Sequence, residues 1–269
     1  MVMAGRRILI TGATDGLGRA LAFALAADGD TLIVHGRDPA RVAALVEELK
    51  AIRPEVAGCV ADFTSLDAIR GMAGDLVERR RLDVLVNNAG LGMGGARSET
   101  PDGFEAVFQV NCIAGDLLAR LCLPLLRRGD DPRVVNVASA AQAPLSFADL
   151  QMTNGWSGPF AYGRSKLAQV MSSMDLAERF GDSGVAVNAL HPASLMPTKL
   201  VIGLFEPAST LGDGVRAVRH LIDLERRRSG EYFSGLTPAR AHEQAYDPVA
   251  RKALRDWLDT HAPSGRGGH

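Results

Sequence analysis

Through the first 190 residues, short continuous apolar runs alternate with longer stretches of helical periodicity. The runs predict strands over Arg6–Thr11, Thr31–His35, Val56–Ala61, Leu82–Val86, Arg133–Ala138 and Val185–Leu190. Between them, near Gly18–Ala27, Pro39–Ile52, Leu66–Arg79, Asp102–Leu126 and Phe160–Phe180, apolar residues recur at helical spacing. Strands that are apolar along their whole length, separated by amphipathic helices, imply βαβ units and a parallel sheet covered on both faces. The expected fold class is therefore α/β, a Rossmann-type doubly wound parallel sheet of about seven strands. After Leu190 the alternation loosens into a loop-rich part (His191–Leu211), a helix (Gly212–Arg226), a short Tyr232-Phe233 strand and a final helix near Pro248–Thr260. No repeat or low-complexity linker divides the chain, so one domain is expected over residues 1–269, with 262–269 ("APSGRGGH") a loose tail.

Composition narrows this little. Hydrophobic residues make up 46% and the formal net charge is −1, so nothing favours nucleic acid or an anionic membrane as a partner. The cluster Arg79, Arg80 and Arg81 ends a helical pattern and is expected to be a solvated last turn. Cys59, Cys112 and Cys122 lie in apolar segments without ligand spacing, which predicts buried free thiols in a reducing compartment and no metal site. The apolar run after "MVMAGRR" is too short for a signal core or a membrane span, so a cytoplasmic protein is expected.

The first strand runs into "TGATDGLGRALAFALAADG", with Gly12, Gly16 and Gly18 where strand turns into helix. Small residues there let backbone approach a pyrophosphate, and the helix start supplies N–H donors and positive dipole. Thr14, Asp15 and Leu17 complete the expected cradle. At the end of the second strand, Asp38 before Pro39 reads as a helix N-cap, leaving Gly36 and Arg37 at the strand tip. A guanidinium there can pair with a 2′-phosphate, which favours NADP (NADPH) over NAD, although Asp15 would repel that phosphate.

A Tyr162/Lys166 pair at helical spacing stands out in a chain with three tyrosines and four lysines. By itself it could be a helix-face pair worth a few tenths of a kcal/mol. Together with "TGATDGLG" at 11–18, "NNAG" at 87–90 and Ser139 in "VNVASA", "YGRSK" at 162–166 makes the chain closely resemble the short-chain dehydrogenase/reductases. The 23-position gap from Ser139 to Tyr162, "SFADLQ", "SKLAQ" and "LHPASLMPTKL" are similar to the retinol-dehydrogenase-like branch.

The resemblance implies that Asp62 accepts from the adenine amino group beside the Phe63 backbone. It also implies that Asn87, Asn88, Ala89 and Gly90 hold the sheet and wall the cofactor pocket; the asparagines could equally only tie loops together. Asn111 in "FQVNCIAG" would support a water chain to Lys166, and residues 192–198, with Pro192, Ser194, Leu195 and Thr198, would contact the nicotinamide amide. Ala193 stands where the family has glycine, and His191 is expected to form a turn or flank the cofactor. Tyr162 would be the acid/base, with Ser139 orienting the substrate oxygen. At roughly 4 Å, the Lys166 ammonium would bring the phenol pKa towards roughly 7.

Substrate contacts are expected from segments 141–160 and 191–212: Leu145, Phe147, Leu150, Met152, Trp156, Phe160, Leu195, Met196, Leu200, Val201, Ile202, Leu204 and Phe205, with Lys199 the only cation outside the motif. These suit an apolar, fairly bulky ketone, aldehyde or alcohol, unless several only pack a lid on the core. The alternatives are a catalytically silent dinucleotide-binding sensor and a sugar-nucleotide epimerase or dehydratase. The resemblance further allows a homodimer through the helices spanning roughly 102–126 and 160–180, or a single chain, as occurs in the resembling branch.

Overall fold

The computed structural model describes residues 5–198, 206–224 and 228–265. Seven strands lie parallel: β1 (Arg7–Ile10), β2 (Thr31–Gly36), β3 (Val56–Val60), β4 (Val84–Asn87), β5 (Arg133–Val137), β6 (Ala186–His191) and β7 (Tyr232–Ser234). An antiparallel β8 (Thr237–Pro238) follows, giving the order β3-β2-β1-β4-β5-β6-β7-β8. The two-residue β8 was absent from the expectation: it contains proline and has no apolar run to announce it.

The strand side chains alternate between two cores. Ile8, Ile10, Leu32, Val34, Val84 and Val86 face α1 (Gly16–Ala27), α2 (Pro39–Lys50) and α6 (Leu211–Ile222). Leu9, Ile33, Leu85, Val134 and Val187 face α3 (Leu66–Val77), α4 (Ala106–Leu126), α5 (Gly158–Phe180) and α7 (Pro248–His261). The chain steps outwards from β1 to β3 and then returns to β4 on the other side of β1. That reversal opens a crevice at the strands' C-terminal ends, the place where such sheets bind ligands.

Capping explains where helices start. Asp38 accepts from the Ala40 and Arg41 amides (2.9 and 3.2 Å), as expected. Asp15 accepts from the Gly16 amide at 2.8 Å, so α1 begins two residues before its expected start. α4 begins at Ala106 rather than Asp102, because the Asp102 carboxylate is used elsewhere: it accepts from the Leu66 amide at the head of α3 and from Gln109 Nε2, both at 2.7 Å. Within α4, Gln109–Ile113 forms a π-helical turn. Thr210 and Asp213 form a reciprocal capping box at the N-terminus of α6, whose expected final residues 225 and 226 lie outside the described residues.

By length and composition α4 could cross a membrane, but 83% of its most apolar window is buried in this chain. It also carries a buried Asp116–Arg120 ion pair at 2.8 Å. Both features mark it as a core helix. Arg120 Nη2 donates to the Ala262 carbonyl at 2.6 Å and Arg70 Nη2 to that of Pro263 at 3.1 Å, so the expected loose tail is anchored at its start; 266–269 lie outside the described residues.

α7 lies across the outer face of α4 and α5. Trp257 stacks on His261 at 4.3 Å and meets Phe104 and Phe108 edge-on, while Arg255 pairs with Asp175 and Arg251 with Glu178. Residues 114–120 and 165–177 are all buried within the one chain. Both helices are thus packed from within the chain over these stretches. Arg81 is not merely solvated: it pairs with buried Asp83 and with Asp130. The three cysteines are free thiols; burial pushes Cys112 up, and Cys59 and Cys122 up to about 12.

Candidate active site

Two corners meet at the C-terminal ends of the strands. The first is built by close backbone approach. Gly12 has φ +63°, and a Cβ there would stand 2.8 Å from Ala89 Cα; one on Gly18 would stand 2.4 Å from the Gly12 carbonyl oxygen and 2.5 Å from Asn88 Nδ2. The turn therefore rests directly on the exit of β4. Thr11 Oγ1 accepts from the Asn88 and Ala89 amides (2.9 and 3.0 Å), and Asn88 Nδ2 donates to the Thr11 and Gly12 carbonyls. Asn87 Nδ2 donates to the Gly115 carbonyl and to Asn136 Oδ1. Both asparagines thus tie backbone segments together. The amides of Leu17 and Gly18, in the first turn of α1, have no carbonyl four residues back inside the helix.

His35, which sequence pattern gave no reason to select, joins the exits of β1, β2 and β3. Its Nδ1 accepts from the Gly12 amide at 3.2 Å, which leaves Nε2 to donate to the Ala61 carbonyl at 3.0 Å. The ring stacks on Phe63 at 4.3 Å, and burial lowers its pKa to about 4. Beyond Phe63, Asp62 is exposed and its Oδ1 accepts from the Thr64 amide and hydroxyl, each at 2.9 Å. Gly36 admits the turn: a Cβ there would stand 2.7 Å from Thr14 Cγ2. Arg37 follows it, exposed. A second guanidinium, Arg41, reaches back from α2 to the Thr14 carbonyl and Asp15 Oδ2.

The second corner is buried. Ser139 lies two residues past β5, and Tyr162 and Lys166 lie near the start of α5. The phenol neighbours the Ser139 side chain; burial raises its pKa and Ser139 opposes the rise. Lys166 Nζ donates to the Val137 carbonyl at 2.9 Å and to Gln169 Oε1 at 3.1 Å, and stands 5.8 Å from the Tyr162 ring centre. Burial lowers its pKa to about 8. The expected phenol pulled down by an ammonium at close range is therefore corrected. The lysine head is held by two neutral acceptors, and burial moves both groups towards their uncharged forms.

The π-helical turn aims Asn111 across to the strand exits. Its Oδ1 accepts from the Leu91 amide at 2.7 Å; Nδ2 donates to the Leu91 carbonyl (3.0 Å) and to Ser165 Oγ (2.9 Å). A Cβ on Gly90 would meet Asn111 Oδ1 at 3.1 Å and Lys166 Nζ at 3.8 Å, so these three positions converge. The Ser139 carbonyl is itself pinned by the Tyr232 hydroxyl at 3.0 Å and Gln142 Nε2 at 2.9 Å. Gln244 brackets Leu145, accepting from its amide at 2.7 Å and donating to its carbonyl at 3.1 Å. Gln142, Gln169, Tyr232 and Gln244 carry no pattern that a single sequence reveals; Tyr232 and Gln244 meet backbone 93 and 99 positions away.

Segment 192–198 lies over the glycine turn: Thr198 Cγ2 would be 3.2 Å from a Cβ on Gly16. His191 Nε2 and Ser194 Oγ are 3.0 Å apart, and Leu195 has φ +50°. Several of the apolar residues expected near the substrate pack on the core, the alternative that the sequence left open. Leu145 and Leu150 are buried in the α3–α5 core, Met152 is buried as well, and Met196 packs on the α1/α6 side. Trp156 donates to buried Glu105 at 3.3 Å. Phe147 and Phe160 remain 37% and 47% exposed. Lys199, Leu200, Val201, Ile202, Leu204 and Phe205 lie outside the described residues.

Residues 6–207 match the family model described as short chain dehydrogenase. The chain belongs to the short-chain dehydrogenase family. Among curated members, it is 36% identical to human retinol dehydrogenase 13 over 273 residues, covering 92% of this chain and 82% of that one. It is also 36% identical to mouse retinol dehydrogenase 14 over 206 residues, covering 71% of this chain. There the match spans 61% of the relative's length, less than two thirds. Among solved structures of the family, the NADPH-bound carbonyl reductase from chicken fatty liver superimposes with a TM-score of 0.70 at 25% identity, covering 89% of this chain and all (100%) of that one.

Proposed function

We propose that the chain is an NADP(H)-dependent oxidoreductase that interconverts an apolar, fairly bulky ketone or aldehyde with its alcohol, Tyr162 serving as acid/base. The observation that carries this reading is the buried Tyr162 phenol beside the Ser139 side chain, with Lys166 fixed one helical turn along α5. The first corner fits a dinucleotide: added Cβ atoms on Gly12 and Gly18 would clash, and the first-turn amides of α1 point out of the helix. Gly12, Thr14, Asp15, Gly16, Leu17 and Gly18 would hold the pyrophosphate, and Arg37 a 2′-phosphate. Asp62, Phe63, Asn88, Ala89, Gly90, Pro192, Ser194, Leu195 and Thr198 would line the rest. When bound, the nicotinamide supplies or accepts the hydride.

The protein's own part concerns the proton. Burial keeps the Tyr162 phenol protonated at neutral pH, the form that carbonyl reduction consumes as an alkoxide develops. Ser139, held through its carbonyl by Tyr232 and Gln142, would orient the substrate oxygen against that phenol. Lys166 and Asn111, converging at Gly90, would return a proton from solvent. The exposed rings of Phe147 and Phe160, in and beside the loop before Tyr162, support an apolar substrate. So do relatives named retinol dehydrogenase and carbonyl reductase. The free thiols fit the cytoplasm as the compartment. The test is NADPH oxidation, followed by absorbance, across ketones and aldehydes of increasing apolar bulk. Turnover is expected to rise with bulk. Tight NADPH binding with no turnover on any compound would overturn the reading in favour of a dinucleotide sensor.

A further inference from the structure

The carbonyl of Ser139 is held from a strand that is not its neighbour. Tyr232 opens β7, and β6 runs between β5 and β7. The register sets Ala189 of β6 between Asn136 and Tyr232, so the residue that the ring crosses carries only a methyl group. The ring is buried, and its hydroxyl donates to the Ser139 carbonyl at 3.0 Å. Burial pushes this phenol up to about 12, so it stays a donor throughout the neutral range. A relay fixes the second donor. Gln142 Oε1 accepts from the His242 amide at 2.8 Å, which leaves Nε2 to donate to the Ser139 carbonyl at 2.9 Å. Ser139 Oγ accepts from the Ala141 amide at 3.1 Å, which leaves its proton to be given to another oxygen. On its other side the loop rests on α5: a Cβ on Gly163, next to Tyr162, would stand 3.0 Å from Ala143 Cβ. Tyr232 and His242 both lie beyond the 6–207 stretch that matches the family.

Resting on the reading of Tyr162 and Ser139 above, we infer that Tyr232 is a positioning residue for carbonyl reduction, acting through the Ser139 carbonyl to hold the Ser139 hydroxyl against the substrate oxygen. Carbonyl and Oγ belong to one residue, so two donors on the carbonyl and the Ala141 amide on Oγ together fix where the hydroxyl points. An orienting hydroxyl works only within a narrow geometry. Slack at the carbonyl therefore lowers the rate of the bound complex rather than its formation. Phenylalanine at position 232 would keep the packing of the ring and lose only the donor.

The experiment follows NADPH oxidation with a ketone that the unaltered protein reduces, in steady state and, for slow variants, in single turnovers at excess protein. Tyr232→Phe is expected to lower kcat about fivefold while KM for the ketone and Kd for NADPH change less than about twofold. Gln142→Met, on the loop itself, is expected to give the same split, and the two together a larger loss of kcat. In a Ser139→Ala background Tyr232→Phe is expected to change the residual rate less than about twofold, because no hydroxyl remains to be held. An equal loss in both backgrounds, or a loss of kcat matched by a loss of NADPH affinity, would show a residue that only packs the fold and overturn the inference. If Ser139→Ala removes turnover while Tyr232→Phe leaves kcat unchanged, the inference fails and the oxidoreductase reading stands. If the unaltered protein reduces no ketone or aldehyde, that reading fails and takes the inference with it.

Discussion

The two corners handle polarity in opposite ways. At the glycine turn the charged groups, Asp15, Arg37, Asp38 and Arg41, sit at the surface, where water screens them and ion pairs are individually weak. The constraint there is steric, because backbone is packed against backbone. Around Tyr162 the polar groups are buried, and each is held by a neutral partner: Lys166 by a carbonyl and an amide, Asn111 by the Leu91 backbone, Ser139 by Tyr232 and Gln142. Burial there decides protonation, raising the phenol and lowering the ammonium. One corner is arranged to receive charge, the other to keep charge low until a reaction creates it.

The largest effect expected from breaking this contrast is Tyr162→Phe. Removing one hydroxyl should lower kcat by about 10²–10⁴ while leaving NADPH affinity nearly intact, as steady-state kinetics and fluorescence titration would show. Retained turnover would mean that the buried corner does not carry the proton.

A smaller effect belongs to His35, a buried titratable group in the glycine corner. Its folded pKa near 4 lies below the ordinary 6.5, so the unfolded chain takes up a proton that the fold resists. Stability should therefore fall as pH drops from 6.5 to 4, by up to about 3 kcal/mol from this residue. His35→Gln can keep an acceptor and a donor but cannot titrate. Urea unfolding across that range should show a shallower pH slope for the variant; an unchanged slope would place the acid sensitivity elsewhere.

The smallest shift concerns Gln169. Gln169→Leu leaves Lys166 with only the Val137 carbonyl of its two acceptors, so its pKa should fall by about one unit below its already lowered value. Gln169→Glu should raise it. The pH profile of kcat is expected to move in opposite directions for the two variants, with NADPH affinity held; a common drop without a shift would indicate packing alone.

Strands and caps were legible because they are local. An apolar run of five residues or an Asp-Pro pair announces itself in the chain, and β1 to β6 and the Asp38 cap appear close to where the pattern put them. Features that depend on distant partners were hidden. Asp102 looks like the first residue of a helix, yet its carboxylate caps α3. Arg41 looks like a solvated helix residue until the turn at Asp15 is brought beside it. Leu145 and Leu150 are apolar loop residues, and composition alone does not distinguish a ligand wall from core packing. The site motifs stood out because chemistry restricts residue type there. The groups that hold Lys166 and Ser139 belong to backbone, glutamines and Tyr232, which no motif marks.

The C-terminal helix has one more consequence. Where two subunits cover each other's long helices, the stability of that face follows mass action and falls on dilution. Here α7 is joined to the face it covers by the chain itself, through Trp257, Arg251 and Arg255. The effective concentration of that partner is set by covalent connection and never falls. The packing behind the helix that carries Tyr162 is thus as complete at nanomolar protein as in a concentrated stock.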